Sequence, residues 1–135
     1  MPIIAKSDFM LQTLSTLLET GESLQYPLYG TIEKIGKERQ NLFGFFGVAG
    51  DYLLIAILSG TNAEKITESI RVPLEIEKCI IKKSIIPNQY KVHLIFTEGN
   101  DVVIRVSKKL LVDDFYHQEE NVTAFLDFVS MLENG

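Results

Sequence analysis

Three basic residues fall within six positions: Lys34, Lys37 and Arg39. Donors at that spacing can converge on one multiply charged anion, because charge-assisted hydrogen bonds are the strong ones. Glu33 and Glu38 interleave with them and cancel part of the charge, so a solvated polar loop is the plainer account. Cys79 is the single cysteine. A nucleophilic thiol needs a base within reach, and the chain offers only His93 and His117. Flanked by Lys78 and Ile80 inside a strand, Cys79 reads as a small buried hydrophobe. No Cys/His spacing suits a metal. Asp113-Asp114 and Glu119-Glu120 are acidic pairs without the spacing of a calcium loop, and they read as helix-start and surface acids.

Glu19-Thr20-Gly21-Glu22 is similar to the end of a pyrophosphohydrolase box, but the acids that must precede it are absent, since residues 10–18 are apolar or neutral. There is no phosphate-cradling glycine loop and no Ser/His/Asp arrangement. No catalytic residue, metal or cofactor is expected. With 13 basic against 18 acidic residues, the net charge of −5 argues against a dedicated nucleic-acid binder. The longest apolar stretch, residues 42–58, is broken by Gly44, Gly47, Gly50 and Asp51. It falls short of the ~20 residues that a spanning helix needs. Residues 1–5 carry no basic region and Asp8 follows closely, so neither a signal peptide nor a transmembrane segment is expected. One free cysteine and no targeting signal suit a reducing cytoplasm.

The elements that must position these residues are legible from periodicity. Ser7 or Asp8 can cap a helix, and Met10, Leu14, Leu17 and Leu18 form one apolar stripe, which predicts a helix over 8–20. Leu24, Tyr26 and Leu28 then alternate with Gln25, Pro27 and Tyr29, the period of a half-buried strand. Pro27 cannot donate to a ladder, which points to an edge or a bulge. Residues 36–41 read as a loop. Residues 42–48 and 52–58 are strands joined by a short turn around Gly50. Residues 63–69 are polar and read as loop or a helical turn, 70–77 as a strand interrupted by Pro73, and 78–86 as another. Residues 89–96 and 102–108 are the clearest strands. A three-residue loop at Glu98-Gly99-Asn100 would pair Val92 with Val106 and His93 with Arg105. Val122, Phe125, Leu126, Val129 and Leu132 line one face of a closing helix over 117–132. Phe43, Phe45 and Phe46 lie too close together to share one interior. At least one must point outward, under the N-terminal helix or into a partner.

One helix, seven strands and a closing helix form an order that resembles the pleckstrin-homology-like superfamily, and its small bacterial domains more closely. The likeness is carried by residues 44–54, Val72-Pro73-Leu74-Glu75, residues 96–106, and Gln118, Asn121, Phe125 and Leu132 in the closing helix. Glu77 stands where bacterial members usually show an isoleucine, and the tryptophan of the eukaryotic closing helix is missing. The resemblance implies that Lys34, Lys37 and Arg39 stand where eukaryotic relatives grip phosphoinositide phosphates.

A second asymmetry lies in the charge. Residues 71–112 carry eight basic residues against four acidic, a net of +4, while residues 113–135 carry six acids and no Lys or Arg. Such a split can orient a molecule at an anionic surface or pair charges between subunits, and it also suits a sheet face kept soluble by lysines. The expectation is one domain over 1–135, mainly β (α+β). Antiparallel strands over 23–109 form a seven-stranded barrel or bent sandwich, capped by the C-terminal helix, with an extra N-terminal helix. The expected function is a non-enzymatic interaction module for a protein partner or homo-oligomer. The alternative is an anionic-lipid or membrane-surface module using Lys34, Lys37 and Arg39, or the later basic strands.

Overall fold

The computed structural model describes residues 6–59, 62–109 and 117–132. Its seven strands are β1 (Gln25–Ile35), β2 (Glu38–Ala49), β3 (Tyr52–Ser59), β4 (Asn62–Pro73), β5 (Ile76–Lys83), β6 (Gln89–Phe96) and β7 (Asp101–Ser107). They form one antiparallel sheet in the order β4-β3-β2-β1-β7-β6-β5. Helix α1 (Lys6–Ser15) precedes them and α2 (Gln118–Leu132) follows. The architecture is mostly β and consistent with a pleckstrin-homology-like bent sandwich.

β1 joins the two halves of the sheet. It is a central strand, and Pro27 is tolerated because a register shift between Gln25 and Leu28 lifts that stretch out of regular pairing. A second shift between Ile32 and Lys34 appears against both neighbours. Bulges of this kind bend a strand and increase its local twist, and here one strand serves both half-sheets.

Two apolar layers hold the sheet. The inner one gathers Leu28, Ile32, Phe46, Ile55, Val92, Leu94 and Ile104 against Val122, Phe125 and Val129 of α2. The outer one packs Met10 and Leu14 of α1 on Phe45, Ala49, Leu54, Ala56 and Leu58. The three phenylalanines therefore divide. Phe46 faces inward. Phe45 meets Phe9 edge-on at 5.8 Å between ring centroids, and Phe43 stacks on Tyr29 at 5.7 Å. Within the chain, α1 covers its own sheet.

Several expected boundaries shift. α1 spans 6–15 rather than 8–20, because Leu17 and Leu18 donate backward three residues, to Leu14 and Ser15, and tighten the chain into a turn. Both leucines still pack in the outer layer. The expected loop over 36–41 is only a turn at Gly36-Lys37, with Gly36 at φ +59°. Residues 63–69 continue β4 instead of forming a loop or helical turn, since Ile66 and Ile70 find partners in Leu58 and Ile55. The strands expected at 70–77 and 78–86 divide instead at 74–75, and β5 stops at Lys83. The β6–β7 register is offset by two residues from the expectation. Val92 pairs with Ile104 and His93 with Val103, while Arg105 stands opposite Lys91. The loop is Thr97-Glu98-Gly99, with Gly99 at φ +106° and Phe96 donating to the Asn100 carbonyl. This choice puts glycine, not Asn100, at the left-handed third position. A two-residue offset keeps every side chain on its face.

Candidate functional site

The three cations singled out by spacing do not share a loop. Lys34 lies in β1, Lys37 in the exposed turn and Arg39 in β2, across the ladder from Lys34. The side chain of Arg39 lies outside the described residues. Lys34 is already engaged, with its Nζ 3.0 Å from Asp101 Oδ1. The same carboxylate receives His93, with Nε2 2.7 Å from Oδ2. Burial pushes the Asp101 carboxyl up. The hydrogen bonds from His93 and Lys34 outweigh that and hold it below its ordinary value.

This triad opens onto the outer face of β1, β7, β6 and β5, which the sequence indicated as a charged sheet face but without these pairings. Glu33 Oε1 lies 3.1 Å from Lys91 Nζ, and Glu33 Oε2 lies 3.5 Å from Arg105 Nε. Ile80, Lys82, Lys91 and His93 line a shallow hollow of about 170 Å³ there. Lys82 pairs directly with Lys91 across the β5–β6 ladder.

Beyond that pair is the β5–β6 tip, residues 84–88. Ile85 is fully exposed (101%) and Ile86 is 52% exposed. The loop is held by its own hydrogen bonds. Ser84 N donates to Gln89 O at 2.9 Å, Ile86 N to Ser84 Oγ at 3.2 Å, and Lys108 N to Asn88 O at 2.8 Å. Asn88 takes a left-handed φ of 65°, a conformation Asn tolerates. Sequence reasoning assigned Ile85 and Ile86 to a strand. The signal it passed over was two isoleucines set between Lys82-Lys83 and a proline turn.

The remaining reactive groups are kept apart. Cys79 packs against the inner core, whereas His93, opposite its neighbour Ile80, lines the outer hollow. Thiol and imidazole thus lie on opposite faces of the sheet. His117, at φ 61°, is exposed with Nδ1 2.7 Å from Glu120 Oε2. Asp113 and Asp114 lie outside the described residues. Among the described residues, no group of three or more His, Cys, Asp or Glu could hold a metal. Glu19 and Glu22, set aside as a catalytic box, have a structural role. Arg71 donates to both oxygens of Glu22 at 2.6 and 2.9 Å and to Leu17 O at 2.8 Å, and its guanidinium carbon sits 4.3 Å from the centroid of the Tyr52 ring. This clasp ties the chain after α1 to β4.

No protein-family model matches the chain, and no curated protein matches it. Among solved structures, it is similar to the hSac2 domain from human phosphoinositide phosphatase Sac2. The TM-score is 0.54 at 11% identity, over 95% of this chain and 80% of that one. At that identity the likeness shows the fold alone. Among the described residues, no helix is long and apolar enough to cross a membrane.

Proposed function

We propose that this chain is a non-enzymatic interaction module of the pleckstrin-homology-like kind, acting by contact in the cytoplasm. The observation that carries the reading is how its reactive side chains are spent. Lys34 and His93 both bond Asp101, Arg71 and Glu22 bond one another, and Cys79 and His93 face away from each other. Among the described residues, the large apolar side chains left exposed are Leu11 in α1, Met131 in α2, and the adjacent pair Ile85 and Ile86 at the β5–β6 tip. A protein partner or a second copy is one class of contact. An anionic surface is the other, and the lysines around the tip favour it.

The test places a photo-crosslinking amino acid at position 85 in expressing cells, with position 123 on the exposed side of α2 as the control. Adducts to protein or to lipid concentrated at position 85 support a module that works through this tip. Equal, background-level labelling at both positions would remove it.

A further inference from the structure

We infer that the β5–β6 tip is a membrane-surface anchor. Ile85 and Ile86 enter the headgroup boundary of an anionic phospholipid bilayer, and the lysines behind them bind its charge. The inference deepens the interaction-module reading and rests on it.

The tip has the two components of interfacial attachment, an apolar wedge and a cationic collar. The wedge is held out by the hairpin's own backbone bonds, so little ordering is left to be done on contact. The collar surrounds it on both faces of the arm. On the outer face Lys82 stands opposite Lys91. On the other face Lys83 pairs with Tyr90, and Lys108 lies over the Tyr90 ring with its Nζ 5.2 Å from the centroid. Lys109 follows, exposed. Among the described residues, Lys82, Lys83, Lys108 and Lys109 make no ion pair. Like charges placed directly across a ladder work against folding. Lys91 is already paired with Glu33, so of the two it is Lys82 whose charge an anionic surface compensates. Long lysine stems let the heads reach phosphates while their methylenes follow the wedge inward.

A second copy is a poorer occupant. A convex tip needs a groove. Among the described residues, a hollow of about 170 Å³ is itself lined by Lys82 and Lys91 and would repel an incoming lysine collar, and another near Val72 and Phe96 is about 60 Å³. The anchor is also distinct from the site that the family resemblance implied. β7 runs from the Asp101 end, where the β1–β2 turn lies, to the Ser107 end, where Lys108 meets Asn88. The two basic clusters thus sit at opposite ends of the sheet, ~20 Å apart at strand rise. With the β5–β6 arm inserted tip-first, the β1–β2 turn stands at the far end of the sheet from the membrane. Glu119 and Glu120 open α2, whose first residue Gln118 bonds Ser107 O, so they lie at the anchor's end and oppose it.

The experiment uses the full chain and vesicles of phosphatidylcholine with and without phosphatidylglycerol, at low and moderate salt. The chain has no tryptophan, so Ile85→Trp gives a single reporter whose emission shifts to the blue on insertion. Three results are expected. Binding needs phosphatidylglycerol and weakens with salt. Ile85→Asp/Ile86→Asp and Lys82→Gln/Lys83→Gln each weaken it at least tenfold, since one surface lysine contributes roughly fivefold. Lys34→Ala/Lys37→Ala/Arg39→Ala leaves it unchanged, and Glu119→Gln/Glu120→Gln strengthens it. The described side chains among these are partly or fully exposed, and each variant's melting midpoint reports whether it is folded. The inference is overturned by absent binding, by equal binding to neutral vesicles, by loss only in the Lys34/Lys37/Arg39 variant, or by an unshifted tryptophan. Protein adducts at position 85 without vesicle binding would overturn the lipid assignment and leave the module standing. Background labelling there together with vesicle binding would overturn the module in the cell, and with it the anchor that rests on it.

Discussion

Gln118 and Tyr29 are joined through both hydrogen-bonding groups of one primary amide. Tyr29 N donates to Gln118 Oε1 at 3.1 Å, and Gln118 Nε2 donates to Tyr29 O at 2.9 Å and to Ser107 O at 3.0 Å. The β1–β7 ladder ends at Gly30 and Val106. The first side chain of α2 therefore continues the ladder by one rung, at a buried place where water cannot substitute. Gln118→Ala leaves an amide and two carbonyls unsatisfied and is expected to cost roughly 2–4 kcal/mol. Gln118→Glu keeps the shape but cannot donate while ionised, so it should cost a similar amount at neutral pH. Urea unfolding measures both. A change too small to resolve would mean that the amide is not what seats α2.

Glu22 and Arg71 set the acid side of the stability profile. The hydrogen bond from Arg71, followed by the backbone bond from Glu19, holds the Glu22 carboxyl at about 2, below the ordinary 4.5. A carboxyl depressed in the folded state binds its proton more readily when unfolded. Its contribution is therefore whole above the ordinary value and fades as pH falls from there toward 2. Asp101, also depressed, adds to the same limb. Glu22→Gln should flatten the fall of the melting midpoint across that window. Superimposed acid limbs for the two proteins would show that the clasp does not form in solution.

The docking of α1 is a packing event and should fail as one. Phe45 and Leu14 are fully buried in the outer layer. Phe45→Ala should cost roughly 3–5 kcal/mol and Leu14→Ala roughly 2–5 kcal/mol. Leu14→Asp should release the helix while the inner core, which shares no residue with this layer, persists. Hydrogen exchange would then show lost protection over 6–15 and retained protection in β6 and β7. Global loss of protection would instead make α1 part of a single cooperative unit.

The seven strands were legible because the core-facing residues of β1, β6 and β7 alternate with outward ones, and the two-residue period survives even a wrong register. Hairpin registers were not, because sequence alone does not say whether Gly99 or Asn100 takes the left-handed place. The first half of β4 was hidden because an edge strand needs few apolar residues, and its pairing to β3 is a tertiary fact. The candidate site was misread for a related reason. Spacing put Lys34, Lys37 and Arg39 together, but it could not show that Asp101, 67 residues away, holds Lys34. Nor could periodicity tell the β-branched end of a strand from an exposed tip at Ile85.

Whether Lys34 is available to an anion is a measurable quantity. The Lys34 and Asp101 side chains are partly buried, at 30% and 18% exposure, and their charged ends lie 3.0 Å apart. A double-mutant cycle over Lys34→Ala and Asp101→Ala should give a coupling near the upper end of the ~0.2–1 kcal/mol found for accessible pairs. Much of it should persist at high salt, because burial limits screening. His93 shares the carboxylate, so Asp101→Ala alone should cost more than Lys34→Ala alone. That pattern means Lys34 is committed to holding β1 against β7, and an inositol phosphate would have to displace Asp101 to use it. Zero coupling would return Lys34 to the solvent. Saturable shifts of the Gly36 and Lys37 amide signals on adding inositol trisphosphate would then make the β1–β2 turn a ligand site after all.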